Sequence, residues 1–259
     1  MRRLSAFLGS LAFLFIIVLL YVRPWYLGWG ATDEERARPL PSDVIVPGAE
    51  RSETRAITID APADQVWPWI AQIGQDRGGF YSFDLLENLL GCEMPTGDVL
   101  RPDRQQWALG DRLWMYPQRK AGGAAFATLR AYTPGRTLGF GARKVGTPVT
   151  EPEDGSWSFE VVPVDAHTTR LLTRNRGTSD RSLWGTAFNS GVFEIAHFVM
   201  EKRMLLGIKD LAEGHTRRPE NDIIVATWMF VAVTMMLSIV AIFRRCLLYT
   251  SDAADEGLG

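Results

Sequence analysis

The 259-residue sequence has only two cysteines and three histidines, too few and too scattered to build a metal site. His167, His197 and His215 fall at no spacing typical of zinc ligands, and Cys92 is the only cysteine in the central part of the chain. No disulfide can therefore form within that part, whichever compartment holds it. We expect no metal and no cofactor.

Motifs of the common enzyme classes and an excess of basic charge are also missing. The chain has no phosphate loop and no Gly-x-Ser-x-Gly elbow, and Gly139-Phe140-Gly141 lacks the third glycine of a dinucleotide-binding motif. The formal net charge of −2 gives no reason to expect a nucleic-acid partner. A lone cysteine such as Cys92 is more typical of packing than of nucleophilic catalysis. These absences favour binding over catalysis.

Two long apolar runs, 4–22 and 223–243, carry no charge and are each about long enough to cross a bilayer core as a helix. The first run is longer than a signal-peptide core and has no small-residue cleavage site after it. Aromatic residues follow it instead, as in an interfacial belt: Tyr21, Trp25, Tyr26 and Trp29. We predict a transmembrane anchor over 1–23 and a second transmembrane helix over 222–245.

Two spans place both chain ends on one side of a cell membrane. Arg2-Arg3 and Arg244-Arg245 favour cytoplasmic ends and therefore an extracytoplasmic domain, which we prefer. Five arginines on the domain side argue the other way: Arg23, Arg36, Arg38, Arg217 and Arg218. The charge counts thus leave the side of the membrane open.

The remaining residues divide into a linker over 24–50 and one compact domain over 51–215, a size of about 165 residues that suits a single core. The segment 246–259 is different in character. Cys246–Glu256 matches one reading frame of a transposon-derived sequencing adapter. We therefore expect a native C-terminus that differs beyond about Arg245, and we base no functional argument on this tail.

Hydrophobic periodicity predicts the elements of the domain. Arg51–Asp60 alternates apolar and polar side chains, which is typical of a half-buried strand. Pro62 then stands where the first turn of a helix tolerates it, and Val66, Ile70 and Ile73 follow at helical spacing. A second helix is predicted over 80–90. Later strands are predicted within 107–116 and over 125–132, 137–141, 156–164 and 168–176. Their hairpin-length connections predict an antiparallel sheet.

The last helix is predicted over 182–213, with one apolar stripe and one charged side. The stripe comprises Phe193, Ala196, Met200, Met204, Gly207 and Leu211. The charged residues predicted on the other side are Glu194, Glu201, Lys202 and Lys209.

Three blocks of this sequence resemble the START-like superfamily of polyketide cyclases, dehydrases and lipid carriers. They are the Asp60-Ala61-Pro62 turn with Val66-Trp67, the segment Arg77–Asp84, and Phe198–Lys209 on the last helix. Trp29–Thr32 is similar to the segment that precedes the first strand in its membrane-anchored bacterial branch. The resemblance implies an α+β helix-grip fold, in which a bent antiparallel sheet wraps a long C-terminal helix, here flanked by two transmembrane helices.

The resemblance also implies an apolar ligand cavity between the sheet and the long helix. The aromatic and methionine candidates for its lining are Trp67, Trp69, Phe80, Tyr81, Phe193, Met200 and Met204. Such a stripe is more often plain hydrophobic core, and only the implied cavity keeps the ligand interpretation open.

Five polar residues complete the candidate set. Asp84 and Glu87 lie at i, i+3 and fit an acid–base pair, or else a cap, a pair with Arg77 or a solvated face. His197 fits a base or ligand contact, or more simply a hydrogen-bonded core histidine. Arg174 and Arg176 alternate on the last strand and would bind an anionic headgroup if they face inward. Facing outward, as we favour, they form a solvated strand face.

We predict membrane-tethered binding, and possible transport, of a hydrophobic small molecule such as a lipid or isoprenoid. The expected partners are this ligand and the lipid bilayer, without nucleic acid; a protein partner is left open. One alternative is a cyclase- or dehydrase-like enzyme that uses the same cavity. A second is a structural or partner-binding membrane protein, which predicts a filled core and no cavity.

Overall fold

The computed structural model describes residues 13, 17–95, 97–120, 122, 125–144, 147–148, 150–178, 182 and 193–217, and scattered positions between 223 and 238. The chain divides into two units, Met1–Arg217 and Arg218–Gly259. The fold below is that of the first unit. In the second unit the described residues are helical, and Thr227 Oγ1 donates to the Ile223 carbonyl at 2.7 Å.

Over the positions that the structure describes, no helix has the length and apolar character needed to cross a membrane. Most of the two apolar runs, 4–22 and 223–243, lies outside the described residues. The two transmembrane helices therefore stay predictions. Residues 183–192, the first part of the predicted last helix, also lie outside the described residues.

Six antiparallel strands form one sheet in the order β1-β6-β5-β4-β3-β2. The strands are β1 (Arg51–Ile59), β2 (Arg112–Trp114), β3 (Phe126–Thr133), β4 (Thr137–Ala142), β5 (Gly155–Pro163) and β6 (Thr169–Gly177). A register shift between Leu129 and Ala131 interrupts the pairing of β3 with β4 and bends the sheet there. The predicted strands are confirmed, because alternating side chains and short connections determine both pairing and direction.

Among the described residues of the first unit, the α-helices beside the sheet are α1 (Arg23–Leu27), α2 (Asp33–Ala37), α3 (Ala63–Ala71), α4 (Asp84–Leu89) and α5 (Glu194–Ala212). Helix α2 begins with a capping box, since the Thr32 side chain accepts from the Glu35 amide and Glu35 accepts from the Thr32 amide. Helix α4 is shorter than the predicted 80–90 segment. Tyr81 adopts a φ of 56°, which no helix accommodates, so the helix begins only at Asp84.

The hydrophobic core lies between the inner face of the sheet and helices α3 and α5. Its fully buried members include Ile59, Val66, Ile70, Ile73, Leu113, Leu129, Phe140, Phe159, Leu171, Leu205 and Ile208. Burying each such side chain contributes roughly 1.5–3 kcal/mol before the loss of conformational entropy is counted. The predicted α+β architecture, with a bent antiparallel sheet and a long C-terminal helix, is confirmed.

The predicted stripe of α5 is only partly correct. Met204 and Leu211 are buried, but Phe193 and Met200 are 54% and 43% exposed. Glu194 and Glu201, predicted on the solvent side, are 1% and 2% exposed. The reason is that arginines of α1 and β1 reach this side of α5, so the carboxylates are buried with partners.

The outer segment, defined as Thr32–Val46, packs across the outer face of the sheet, although its sequence predicts a linker. Its second half forms a 3₁₀ helix, Pro41–Ile45, and Ser42 Oγ donates to Ser158 Oγ at 2.8 Å. At Gly139 and Gly141 of β4 a side chain would come within 3.0 Å of Ser42 and Ile45, respectively. The two glycines therefore allow the outer segment to approach the sheet closely.

Candidate functional site

A cavity of about 540 Å³ lies between the inner face of the sheet, the loop around α4 and the N-terminal half of α5. Most of its wall is apolar and includes Phe80, Met94, Met115, Ala127, Trp157 and Met204. The exposed side chains of Phe193 and Met200 also contribute to it. This volume falls in the range of small-molecule sites, about 300–1,000 Å³.

The sequence-predicted site residues divide into two groups. Those that line the cavity are Phe80, Glu87, Arg176, Phe193, His197, Met200 and Met204. Those outside it are Trp67, Trp69, Tyr81, Asp84 and Arg174. Trp69 and Tyr81 pack edge to face at 6.0 Å within the core, and the Tyr81 hydroxyl donates to the Trp69 carbonyl. Trp67 packs beside Tyr132. The ligand-binding role of the first group stays a prediction.

The structure separates the proposed acid–base pair. The Asp84 carboxylate accepts from Arg217 Nη2 at 2.6 Å, outside the cavity, and thereby ties α4 to the chain that follows α5. Arg77, its predicted partner, instead stacks on Trp107 at 3.6 Å. Glu87 is buried in the cavity wall. Burial, with the nearby Glu87 charge, raises the pKa of the Cys92 thiol, which disfavours a nucleophilic thiolate.

A row of ionisable residues forms one wall of the cavity, and of its members the sequence analysis identified only His197 as a site residue. We call it the β1–α5 ladder, and it comprises Arg51, Glu53 and Arg55 of β1 with Glu194, His197 and Glu201 of α5. The β1 residues alternate on one face of the strand, and the α5 residues are three and four positions apart, on one face of the helix. All six lie at or beside the cavity, and Arg55 is fully buried behind it.

The ladder has three rungs, which are the pairs Arg51–Glu194, Glu53–His197 and Arg55–Glu201. In the innermost pair, Arg55–Glu201, the charged groups have several hydrogen-bond partners. Arg55 is ion-paired with Glu201, and its Nε donates to the Tyr26 carbonyl at 2.8 Å. The second carboxylate oxygen of Glu201 accepts from Trp157 Nε1 at 2.7 Å and Asn175 Nδ2 at 3.0 Å. Burial alone would raise the pKa of Glu201, but His197, Arg55 and these hydrogen bonds lower it below its usual value.

The middle rung, Glu53 and His197, has fewer partners. Glu53 Oε2 accepts from Arg55 Nη2 at 2.9 Å, and burial raises the pKa of Glu53 against the opposing effects of Arg55 and His197. The His197 ring stacks on Phe193 at 5.7 Å and meets Trp157 edge to face at 6.2 Å. The described part of the chain supplies no hydrogen bond to its imidazole, so the expectation of a hydrogen-bonded core histidine stays a prediction.

Arg174 and Arg176 do face the outer side of the sheet, as predicted, but they are not solvated. Arg174 is 3% exposed because the outer segment covers it. Its guanidinium donates to Thr54 Oγ1, to Asp43 Oδ2 and to the Glu35, Arg36 and Arg38 carbonyls, at 2.8–3.2 Å. Arg176 lies at the rim of the cavity and donates to the Asp43 carbonyl. The inward-arginine site for an anionic headgroup is therefore not formed.

A sequence signal for the missed wall did exist. The Arg-x-Glu-x-Arg alternation of Arg51–Arg55 and the Glu-x-x-His-x-x-x-Glu spacing of Glu194–Glu201 each mark one face of an element. Only the packing of α5 against β1 brings these two faces together. Over the described residues, no cluster of histidine, cysteine and carboxylate side chains could hold a metal ion.

No family model and no curated protein matches this chain. Solved structures of similar fold include CalC from Micromonospora echinospora, a self-sacrificing resistance protein with 14% identity and a TM-score of 0.39, over 65% of this chain and 99% of that one. The ZhuI aromatase/cyclase of a Streptomyces species is 18% identical with a TM-score of 0.33, over 63% and 93%. A Thermobifida fusca protein is 14% identical with a TM-score of 0.39, over 64% and 97%. Similarities of this size transfer neither an activity nor a ligand.

Proposed function

We propose that this protein binds a hydrophobic small molecule, such as a lipid or isoprenoid, in the cavity between the sheet and α5. The observation that carries the proposal is an apolar cavity of about 540 Å³ beside the hydrophobic core. Aromatic rings and flexible methionines suit acyl chains or ring systems of varied shape. The cavity also disfavours the structural alternative, which predicts a filled core.

We further propose that the domain is tethered at a membrane, which would keep the cavity near a supply of lipid. Support comes from α1, which directly follows the first apolar run and leaves Trp25 55% exposed. Helix α1 packs against α5 through Trp25 and Phe198, whose ring centroids are 5.5 Å apart, and through the Arg23–Glu194 ion pair. The same part of α5 supplies the exposed cavity residues Phe193 and Met200.

The test is mass spectrometry of the lipids that co-purify with the full chain in detergent. Ala127 lines the cavity on β3 and is buried, so Ala127→Leu should fill part of it. Ala108→Leu, at an exposed loop position, adds the same side chain outside the cavity and serves as the control. We expect one ligand class at near-stoichiometric amount in the wild type and the control, and a loss of at least severalfold in Ala127→Leu. Equal lipid in all three proteins would contradict the proposal.

The enzymatic alternative keeps one specific observation in its favour. His197 and Glu87 both line the cavity, and Glu53 joins them. A cyclase- or dehydrase-like reaction would use such a histidine as its base. The bound molecule recovered from the wild type and from His197→Asn distinguishes the two functions: a difference in covalent structure supports catalysis, whereas an identical molecule in both supports binding alone.

A further inference from the structure

The middle rung of the β1–α5 ladder differs from the rungs on either side of it. Arg51 approaches Glu194 at 3.9 Å and Arg55 is ion-paired with Glu201. In the middle, Glu53 Oε1 has no hydrogen bond from any described residue, although Glu53 Oε2 accepts from Arg55. His197 makes ring contacts with Phe193 and Trp157 and interacts electrostatically with Glu53 and Glu201, and no described residue gives its imidazole a hydrogen bond. The wall of one cavity therefore presents a carboxylate oxygen from β1 and an imidazole from α5.

The charges around this pair decide which headgroup can approach it. Four glutamates line the cavity: Glu53, Glu87, Glu194 and Glu201. The guanidinium of Arg55 is already shared between Glu53 and Glu201, and Arg51 lies beside Glu194. Two further cations, Lys144 after β4 and Arg176 of β6, also line the cavity, and Arg176 donates to the Asp43 carbonyl. A ligand carboxylate or phosphate brought beside Glu53 would meet like charge, at a large desolvation cost. A neutral hydroxyl meets neither penalty.

A hydroxyl group also satisfies both open groups at once. An alcohol or phenol has one donor and two acceptor sites, a carboxylate oxygen accepts, and a neutral imidazole has one nitrogen of each kind. The hydroxyl can donate to Glu53 Oε1 while it accepts from the imidazole N–H. Phe193, Trp157 and Met204 nearby would then contact the apolar body of the same molecule.

We propose that the cavity selects a neutral amphiphile, an alcohol or phenol, whose hydroxyl binds between Glu53 Oε1 and His197 while its apolar body fills the methionine- and aromatic-lined space. This inference rests on the proposed ligand-binding function and adds the chemical class of the ligand and the two residues that select it.

The test is equilibrium dialysis, which measures the affinity of the full chain in nanodiscs for three probes of equal ring size: 2-naphthol, naphthalene and 2-naphthoate. Empty nanodiscs correct for partition into lipid. One good hydrogen bond to a charged group corresponds to about a tenfold change in affinity. We expect 2-naphthol to bind about tenfold more tightly than naphthalene and 2-naphthoate to bind most weakly.

Two variants assign the preference to the two residues. Glu53→Gln and His197→Asn should each reduce the preference for 2-naphthol over naphthalene severalfold, as measured by the ratio of the two dissociation constants on the same variant. The matched controls are Glu34→Gln and His167→Asn, at exposed positions, and they should keep the wild-type preference. Naphthalene tests the cavity separately from the polar pair. If all three probes bind alike, or 2-naphthoate binds best, the hydroxyl inference is overturned while ligand binding stands. If naphthalene does not bind at all, the proposed function fails and the inference fails with it.

Discussion

Charged residues lie on both faces of the sheet, but they differ in how many hydrogen-bond partners they have. On the outer face, Arg174 is held by side-chain and main-chain acceptors and is covered by the outer segment. On the inner face, Glu53 and His197 line a cavity and keep hydrogen-bonding capacity unused within the described residues. Both residues are only partly buried, so water can solvate their open groups until a ligand takes its place.

This difference separates a structural role from a binding role. A charged group such as Arg174, whose donors are all used within the protein, holds a segment in place and has no hydrogen bond to make with a ligand. Open groups beside a cavity are available to a bound molecule, whose hydrogen bonds would replace those of water. The comparison therefore predicts stability defects from changes on the outer face and binding defects from changes at the middle rung.

We expect the largest effect from Arg174→Met, which removes the guanidinium that holds the outer segment against the sheet. The carbonyls of Glu35 and Arg38 would lose this donor, and the Asp43 carboxylate would keep only the Leu40 amide and Arg176 as partners among the described residues. Breaking a buried charge pair in this way costs about 3–5 kcal/mol of unfolding free energy. Chemical unfolding of the full chain in detergent, followed by tryptophan fluorescence, measures it.

The control for this prediction is Arg119→Met. Arg119 pairs with Glu93 on the surface and its side chain is 73% exposed, so the unfolding free energy should hardly change. Naphthalene binding should persist in both variants below their unfolding transitions, because the cavity wall is on the other face. Equal stability of the two variants would mean that the outer segment does not depend on Arg174.

The second prediction compares two glutamates that share one arginine. Glu201→Gln leaves the fully buried Arg55 with Glu53 as its remaining anionic partner, and we expect a loss of about 2–3 kcal/mol. Glu53→Gln should cost less than about 1 kcal/mol, since burial already disfavours the charge of Glu53 and one of its oxygens is open. The same unfolding measurement decides, and a greater loss in Glu53→Gln would reverse the assignment of structural and binding roles.

Much of the fold could be predicted from the sequence because local patterns determine it. The alternation in Arg51–Ile59 and the break at Pro62 give β1 and α3 directly. These features depend on neighbours within a few residues. Of the candidate site, the aromatic and methionine residues Phe80, Met200 and Met204 reach the cavity because they lie on the predicted apolar surfaces.

The polar part of the site depends on contacts between residues far apart in the chain. Glu201 and Arg55 are 146 positions apart, and their burial follows from the packing of α5 against β1. A charged residue at helical spacing is usually solvated, so the periodicity of α5 alone predicts Glu194 and Glu201 on the wrong side. Similarly, Arg174 is buried only because the outer segment packs over it.

The smallest expected effect is a pH dependence on the outer face. Glu160 accepts from Thr137 Oγ1 at 2.8 Å, lies near Arg38, Arg174 and Asp43, and is 6% exposed. Burial raises its pKa to about 7 from the ordinary value of 4.5. The folded state therefore binds this proton more tightly than the unfolded state. Its contribution to stability is complete below pH 4.5 and is lost as the pH rises through about 7.

Glu160→Gln should remove this part of the pH dependence. One pKa unit corresponds to about 1.4 kcal/mol, and residual solvent access reduces the effect to on the order of 1 kcal/mol. Unfolding free energies at pH 4.5 and 7.5 should thus fall less for Glu160→Gln than for the wild type, whereas Glu34→Gln keeps the wild-type slope. If the change of unfolding free energy with pH is the same in Glu160→Gln as in the wild type but smaller in Glu53→Gln, the titrating carboxyl is that of Glu53 on the inner face. In that case ligand binding should suppress the slope, because a hydroxyl bound at Glu53 would shield that carboxyl from titration.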